Sequence, residues 1–204
     1  LRAAVEVAAA HGRHVAAHAH GASGMKNALR AGVHSIEHAT LMDEEAAGLM
    51  TQRGVYMVPT LSALATTAAC PTGCGIPDSA RSKAKNMVRQ HEKSFRAAVR
   101  RGVPIALGTD AGTPFNYHGD NAQELERMVT LGMTPMDAIM TSTSAAARLL
   151  RLSAEIGTIE AGKQADLLVV EGNPLRNIGL LLKRERIAGV MQGGRFVSGP
   201  LSET

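Results

Sequence analysis

Three side chains that can bind a divalent metal ion stand at or just beyond the ends of short apolar runs. They are His18, His38 and Asp110. Imidazole nitrogens and a carboxylate oxygen together suit zinc and related ions. A single histidine is more often structural, but two that end similar runs, with an aspartate after a third run, favour a metal site. Because a bound divalent ion can activate water near neutral pH, the sequence predicts a metal-dependent hydrolytic centre.

The elements that must position these residues follow a repeated pattern. A helix end, a glycine and a short apolar run occur together at 9–18, 29–38, 51–60 and 99–108. Each glycine suits the left-handed residue that closes a helix, where a side chain is disfavoured. The runs are short, apolar and partly β-branched, as in strands covered on both faces. Alternating strands and helices predict a parallel sheet, and the pattern alone leaves open whether that sheet closes into a barrel.

The repeat also predicts how high each polar residue lies on its strand. His18 and His38 are each the sixth residue after the glycine of their repeat. Side chains alternate along a strand, so both histidines should project from one face at the same height. Asp110 lies one pleat further along the fourth run. Such folds carry their sites at the carboxyl ends of the strands, so we expect the three side chains to converge there.

Two further histidines are candidates for contact with substrate. His20 has the same offset from its glycine as Asp110, and His118 lies in the loop 115–121, which follows Asp110 and overhangs the site. A role in fixing the loop is an equal alternative for His118.

The other histidines are expected to be structural or superficial. His14, His34 and Tyr56 lie two residues after their glycines, near the bottom of the strands, and should be structural. His11 ends a helix and His91 lies within one, so both are expected at the surface.

The helices in the first part of the chain have recognisable starts. Helices are predicted to begin at four polar residues, of which Thr134 precedes a first-turn proline: Asp43, Asp78, Asn121 and Thr134.

Cys70 and Cys74 lie in a Pro/Gly-rich stretch, CPTGC. A disulfide or half a metal site is possible there, but no second pair follows at a finger-like spacing, so we expect an ordinary loop.

After about residue 152 the alternation of helices and strands gives way to turns and short apolar runs. A turn-rich stretch leads into a strand at Leu167–Val170, and Gly193-Gly194 separates the apolar runs Ile187–Gln192 and Arg195–Ser198, a two-residue hairpin signal. The sequence thus predicts a β/α unit over 1–152 and a small β unit over 153–204.

The composition of the chain indicates which kinds of molecule it is expected to bind. A net charge of +4 without a long basic run and an aromatic content of 2% argue against a nucleic-acid surface. No stretch approaches the roughly 20 apolar residues of a membrane span. We expect a small-molecule substrate and a cytoplasmic enzyme, for which association into a homo-oligomer stays open. The chain starts at Leu1 in what looks like a helix, so an upstream signal stays open.

Four motifs resemble the C-terminal half of the amidohydrolase superfamily: VAAHAHG, HSIEHAT, ALGTDAG and GTIEAGKQADLLVVEGNP. The nearest branch is the imidazolonepropionase-like amidohydrolases, which includes metal-dependent prolidases acting on Xaa-Pro dipeptides and related N-acyl amino acids. The resemblance implies an α/β fold made of the C-terminal half of a (β/α)8 TIM barrel, strands five to eight, with part of a β-sandwich. It also implies that His18 and His38 are the fifth- and sixth-strand ligands of one or two zinc-like ions. Asp110 would be the eighth-strand Asp, a ligand that also takes a proton from water and passes it to the leaving nitrogen.

Two departures from the family pattern limit this expectation. Imidazolonepropionases carry a Glu three residues after the fifth-strand His, whereas Gly21 stands there in this chain. The family's first-strand His-x-His pair and fourth-strand carboxylated Lys have no counterpart, which is expected for a fragment that is inactive alone. The leading expectation is hydrolysis of an amide-type C–N bond. The alternatives are a deaminase or cyclic-amide hydrolase of the same superfamily, or an incomplete half that only binds or assembles.

Overall fold

A computed structural model describes residues 1–202 of the chain. In its first part helices alternate with parallel strands, which pair in the order β1-β2-β3. The elements are α1 (Arg2–Ala10), β1 (Ala16–Gly21), α2 (Ala22–Ala31), β2 (Ser35–Leu41), α3 (Glu44–Arg53) and β3 (Tyr56–Val58). The predicted parallel sheet is therefore present.

The fourth apolar run, residues 103–108, does not form the strand that the repeat predicts. It joins the sheet through one parallel bridge, between Met57 and Ile105. Pro104 has no N–H to donate, and the N–H of Leu107 donates to a carbonyl outside the sheet. The run therefore follows the sheet edge for only a short distance.

Within residues 1–202 five further α-helices follow β3, and the predicted helix starts lie at or next to observed ones. Asp43 and Thr134 cap their helices by accepting hydrogen bonds from the N–H three residues on, whereas Asp78 and Asn121 begin or precede theirs without capping them. Within the part of the chain that the structure describes, none of the helices combines the length and the apolar character that crossing a bilayer requires. The helices are α4 (Leu61–Ala69), α5 (Asp78–Arg101), α6 (Ala122–Thr130), α7 (Pro135–Ser142) and α8 (Ser144–Leu149).

The core lies between the parallel sheet and the helices that cover it. Methionines fill much of it, since their flexible side chains fit irregular gaps in a chain with few aromatic residues. Its fully buried large side chains include Met25, Leu29, Ile36, Met50, Met57, Phe95 and Met128.

The second part of the chain forms a separate antiparallel sheet, in the order β4-β5-β6. Its strands are β4 (Leu167–Val170), β5 (Ile187–Gln192) and β6 (Arg195–Ser198), as the sequence predicts. Gly193 and Gly194 both have positive φ, 55° and 83°, which suits a tight two-residue hairpin. The division into two domains stays a prediction, and the last two residues of the second lie outside the described range.

Cys70 and Cys74 form a disulfide, so the expectation of an ordinary loop was wrong. A turn in which the N–H of Cys74 donates to the carbonyl of Pro71 brings the two residues together. Their Cα atoms are 6.2 Å apart, within the range that a disulfide spans. Sequence spacing alone does not reveal this turn.

Gly54→Ala should destabilise the fold, whereas Gly48→Ala, inside the helix that Gly54 closes, should stabilise it. A Cβ at either position would meet no atom within 4 Å, so packing does not decide the outcome. Gly54 has a φ of +64°, a left-handed conformation that costs a residue with a side chain about 1–2 kcal/mol. Gly48 lies inside α3, where alanine is favoured over glycine by about 0.8–1 kcal/mol. Urea unfolding of both variants measures the difference, and shifts of the same sign would contradict the conformational argument.

Two histidines stack near the amino ends of β1 and β2. The ring centroids of His14 and His34 are 3.7 Å apart, and the N–H of Val15 donates to Nδ1 of His34 over 3.1 Å. Burial lowers the pKa of His34, and the positive charges of His14 and Arg151 act in the same direction. A proton on Nδ1 would also face the N–H of Val15, so the fold favours the neutral ring.

The lowered pKa of His34 should make the fold less stable in acid. The unfolded chain takes up a proton near the ordinary pKa of 6.5, whereas the folded chain takes it up at lower pH. The free energy of unfolding should therefore fall as the pH drops below that value. His34→Gln keeps an acceptor for Val15 and does not titrate, so it should flatten the decline. Chemical unfolding between about pH 5 and pH 8, with His11→Gln as the matched control, measures the slope; an unchanged slope in His34→Gln contradicts the assignment.

Candidate metal centre

The rings of three histidines meet near the carboxyl ends of β1 and β2. One ring nitrogen from each of His18, His20 and His38 lies within 4.8 Å of the others. Nε2 of His38 is 2.8 Å from Nδ1 of His18. The ring of His20 stacks on that of His38, with 4.6 Å between the centroids. The structure thus brings together the two predicted ligands and one of the two predicted substrate contacts.

The strand register that brings His38 next to His18 differs from the predicted one. In the β1–β2 ladder His18 lies opposite Glu37, and His38 lies opposite Ala19, so the register is one residue away from equal heights. Strand alternation would then turn His38 towards the helix layer. Instead, positive φ values of 72° at His38 and 49° at Ala39 interrupt the alternation and let the ring face β1. The predicted equal register was wrong, although the two rings are neighbours.

The surroundings of the cluster favour the neutral form of two of its rings, those of His38 and His20. Burial lowers the pKa of His38 to about 4, with His20 and His18 adding to the effect and Asp110 opposing it. Burial also lowers the pKa of His20. A neutral imidazole offers a lone pair to a divalent cation, and several imidazoles beside a carboxylate are a donor set that zinc accepts. The residues therefore fit a divalent metal ion.

The backbone of His38 is held from α5 by a residue that the sequence analysis expected at the surface. His91 is only 2% exposed, and its Nε2 lies 2.8 Å from the carbonyl oxygen of His38. The expectation was wrong because His91 shares one buried face of α5 with Ser94, Phe95 and Ala98. This i, i+3, i+4, i+7 spacing is the signal that identifies the core-facing side of a helix.

Ser94, one turn further along α5, holds the next residues of β2. Its hydroxyl donates to the carbonyl of Thr40 over 2.8 Å and accepts from the N–H of Met42 over 3.1 Å. The hydroxyl of Thr40 lies in turn 2.8 Å from Nδ1 of His20. Two buried polar residues of one helix thus hold the end of β2 from which the cluster is built.

Asp110 lies beside the cluster rather than within it. Its side chain is exposed and does not belong to the group of close ring nitrogens, yet its charge acts on His20 and His38. Its backbone has a φ of 55°. The buried amide of Asn116 donates to the carbonyls of Thr109 and Asp110 over 2.6 and 3.1 Å. The loop that follows Asp110 therefore holds the backbone of this residue.

Glu37 is an acidic residue near the cluster that the sequence analysis missed. It lies opposite His18 in the ladder. Burial raises the pKa of its carboxyl, a hydrogen bond of 2.6 Å from the Ser35 hydroxyl opposes this, and Asp110 raises the pKa further. Alternation from His18 would have identified Glu37, had the one-residue stagger between the strands been known.

His118 is exposed, in the loop after Asp110. Its Nε2 lies 3.6 Å from the point that a Cβ on Gly112 would occupy. It does not join the three-histidine cluster, so its contact with substrate stays a prediction.

Comparison with known proteins defines the class of this chain. The sequence profile of the Amidohydrolase family matches residues 1–197, and the chain therefore belongs to this family. Its parallel β/α units are part of the family's TIM-barrel-like α/β fold.

Individual relatives narrow the resemblance. Ochratoxinase from Aspergillus niger is 35% identical over 202 residues, which are 98% of this chain and 41% of that protein. A crystal structure of a Xaa-Pro dipeptidase with methionine in its active site is 44% identical with a TM-score of 0.89, over 97% of this chain and 48% of that one. A putative prolidase from Bifidobacterium longum is 34% identical with a TM-score of 0.88, over 98% and 50%. The predicted resemblance is confirmed, and the chain spans half or less of the length of these relatives.

His91→Phe should destabilise the fold by about 1–3 kcal/mol, because the buried carbonyl of His38 would lose its donor. His91→Gln, which keeps an N–H donor, should recover part of the loss. Urea unfolding of the two variants tests this. If the Phe variant is as stable as the Gln variant, the hydrogen bond does not carry the stabilisation.

Proposed function

We propose that the protein to which this chain belongs is a metal-dependent hydrolase of an amide-type C–N bond. Its substrate is a dipeptide or an N-acyl amino acid. The observation that carries the proposal is the cluster of three imidazoles, with a carboxylate beside it, at the carboxyl ends of parallel strands. Catalytic sites of such sheets lie at this end.

The residues that would hold the ion are His18, His38 and Asp110, and zinc is the ion that this donor set favours. His20 stands close enough to take part, which extends its predicted role as a substrate contact. A bound divalent cation would supply Lewis acidity towards the carbonyl of the substrate and towards water. The remaining work belongs to the side chains.

Asp110 is the proposed general base and acid. Its carboxylate accepts a proton from the attacking water as the C–O bond forms, and it delivers that proton to the nitrogen as the C–N bond breaks. The Asn116 amide holds the backbone of Asp110 in place, while the exposed carboxylate stays free to reach solvent and substrate.

The relatives support the substrate class. A Xaa-Pro dipeptidase, a putative prolidase and an ochratoxinase match nearly the whole chain. We propose that residues 1–152 correspond to strands five to eight of a (β/α)8 barrel and that 153–204 belong to a composite β-sandwich. A His-x-His pair and a Lys from the rest of the barrel would complete a binuclear site. Association into a homo-oligomer stays a prediction.

Asp110→Asn should nearly abolish turnover while much of the metal stays bound. The histidines remain, but the amide that replaces the carboxylate cannot take up the proton, and general acid–base catalysis contributes about 10²–10⁴-fold to rate. Hydrolysis of a panel of Xaa-Pro dipeptides and N-acyl amino acids by the product of the complete gene measures turnover. Elemental analysis measures the metal.

Asp120→Asn, a change of the same kind in the loop that follows Asp110, is the matched control. Wild-type turnover in Asp110→Asn would refute the assignment of the base. A wild-type protein that cleaves cyclic amides or deaminates, but leaves the panel intact, would refute the substrate class. A protein that retains no metal would refute the proposed function as a whole.

A further inference from the structure

A buried carboxylate outside the histidine cluster takes no part in the proposed reaction. Glu124 of α6 is 0% exposed. Its Oε1 accepts the N–H of Leu61 over 2.6 Å, and its Oε2 accepts the N–H and the hydroxyl of Ser62 over 2.8 and 2.7 Å. A buried carboxylate is costly unless its oxygens accept hydrogen bonds, so this residue is firmly tied to the first turn of α4.

These hydrogen bonds perform a task that the N-cap of α4 would ordinarily perform. Thr60 is the N-cap residue, and a threonine there usually accepts from an amide of the first turn through its hydroxyl. In this protein Thr60 has a φ of 50° and makes no such bond. Glu124 accepts from the first two amides of α4 instead, which leaves the Thr60 hydroxyl available for another partner.

That partner is His38. Thr60 is buried, and its Oγ1 lies 2.7 Å from Nδ1 of His38. With the proton on Nδ1 donated to Thr60, the lone pair on Nε2 faces His18 and the site. Metal-binding histidines generally donate their second ring N–H to a hydrogen-bond acceptor, which sets both the tautomer and the ring orientation.

We propose that Glu124 is a positioning residue for the metal ligand His38: by capping α4 in place of Thr60, it frees and orients the Thr60 hydroxyl that holds the His38 ring. This inference rests on the proposed function, since it takes His38 to be a ligand. It goes further in giving a cross-helix cap a defined effect on metal affinity.

The test is a double-mutant cycle on zinc affinity, measured by competition with a chelating indicator on the product of the complete gene. Glu124→Gln places an NH2 group where one of the two α4 amides requires an acceptor. Thr60→Val replaces the hydroxyl with a methyl group of similar size. Loss of an outer partner of a ligand typically weakens metal binding by about 10–100-fold, and we expect each variant to fall in that range. Thr60→Ser restores the hydroxyl and should restore the affinity.

The cycle separates positioning from simple support of the fold. If Glu124 acts through Thr60, the double variant loses about as much affinity as the weaker-binding single variant, because one pathway cannot be broken twice. Glu126→Gln, an exposed change on the same helix, is the matched control and should bind zinc like wild type. The visible spectrum of the cobalt-loaded protein should change in Glu124→Gln and not in Glu126→Gln, since the orientation of one ligand differs.

Two results would overturn the inference while leaving the proposed function intact: wild-type affinity in Glu124→Gln, or losses that add in the double variant. If wild type and His38→Ala bind zinc equally, the proposed function fails first and independently. Should Glu124→Gln not fold, Ser62→Ala removes one of the three hydrogen bonds to Glu124, and its cycle with Thr60→Val is judged by the same criterion.

Discussion

The candidate site depends on two residues at the end of β2 whose backbone leaves the strand conformation. His38 and Ala39 both have positive φ, which costs a residue with a side chain about 1–2 kcal/mol. In return the His38 ring crosses to the face from which β1 presents His18. Hydrogen bonds from His91 and Ser94 to this stretch, each contributing about 0.5–1.5 kcal/mol, offset a comparable amount. The strained geometry persists because the long helix behind it satisfies the carbonyls that it redirects.

The helices therefore do more for the site than cover the sheet. α5 holds the His38 backbone, and the α4 start holds the His38 ring through Thr60. α6 holds the α4 start through Glu124. A ring oriented from three rigid elements keeps its direction better than one oriented by a loop. This arrangement suits a metal ligand, whose binding depends on direction as well as on distance.

Local signals in the sequence predicted most of the elements, because they concern neighbouring residues. Glycine counting identified the helix ends and located His18 and His38, and Gly193-Gly194 located the hairpin. The one-residue stagger between β1 and β2 does not depend on residues that are neighbours in sequence. It is set by packing across the whole sheet, so Glu37 was overlooked and the equal height of the histidines was wrong. His91 was misjudged because its polar side chain was given more weight than its position on the buried face of α5. The fourth run, which contains Pro104, forms a single bridge to the sheet in place of the predicted strand.

The position of Asp110 would suit both roles proposed for its carboxylate, which are metal binding and proton relay. A group that only binds a metal ion is best enclosed with the other ligands, whereas a group that relays a proton must reach water and the leaving nitrogen. Asp110 is anchored by its backbone through Asn116, and its side chain is exposed. Its charge nevertheless acts on His20 and His38, where it opposes the lowering of their pKa by burial. The same negative potential that favours a proton on these rings favours a cation, so a carboxylate outside the cluster can strengthen metal binding and remain free for catalysis.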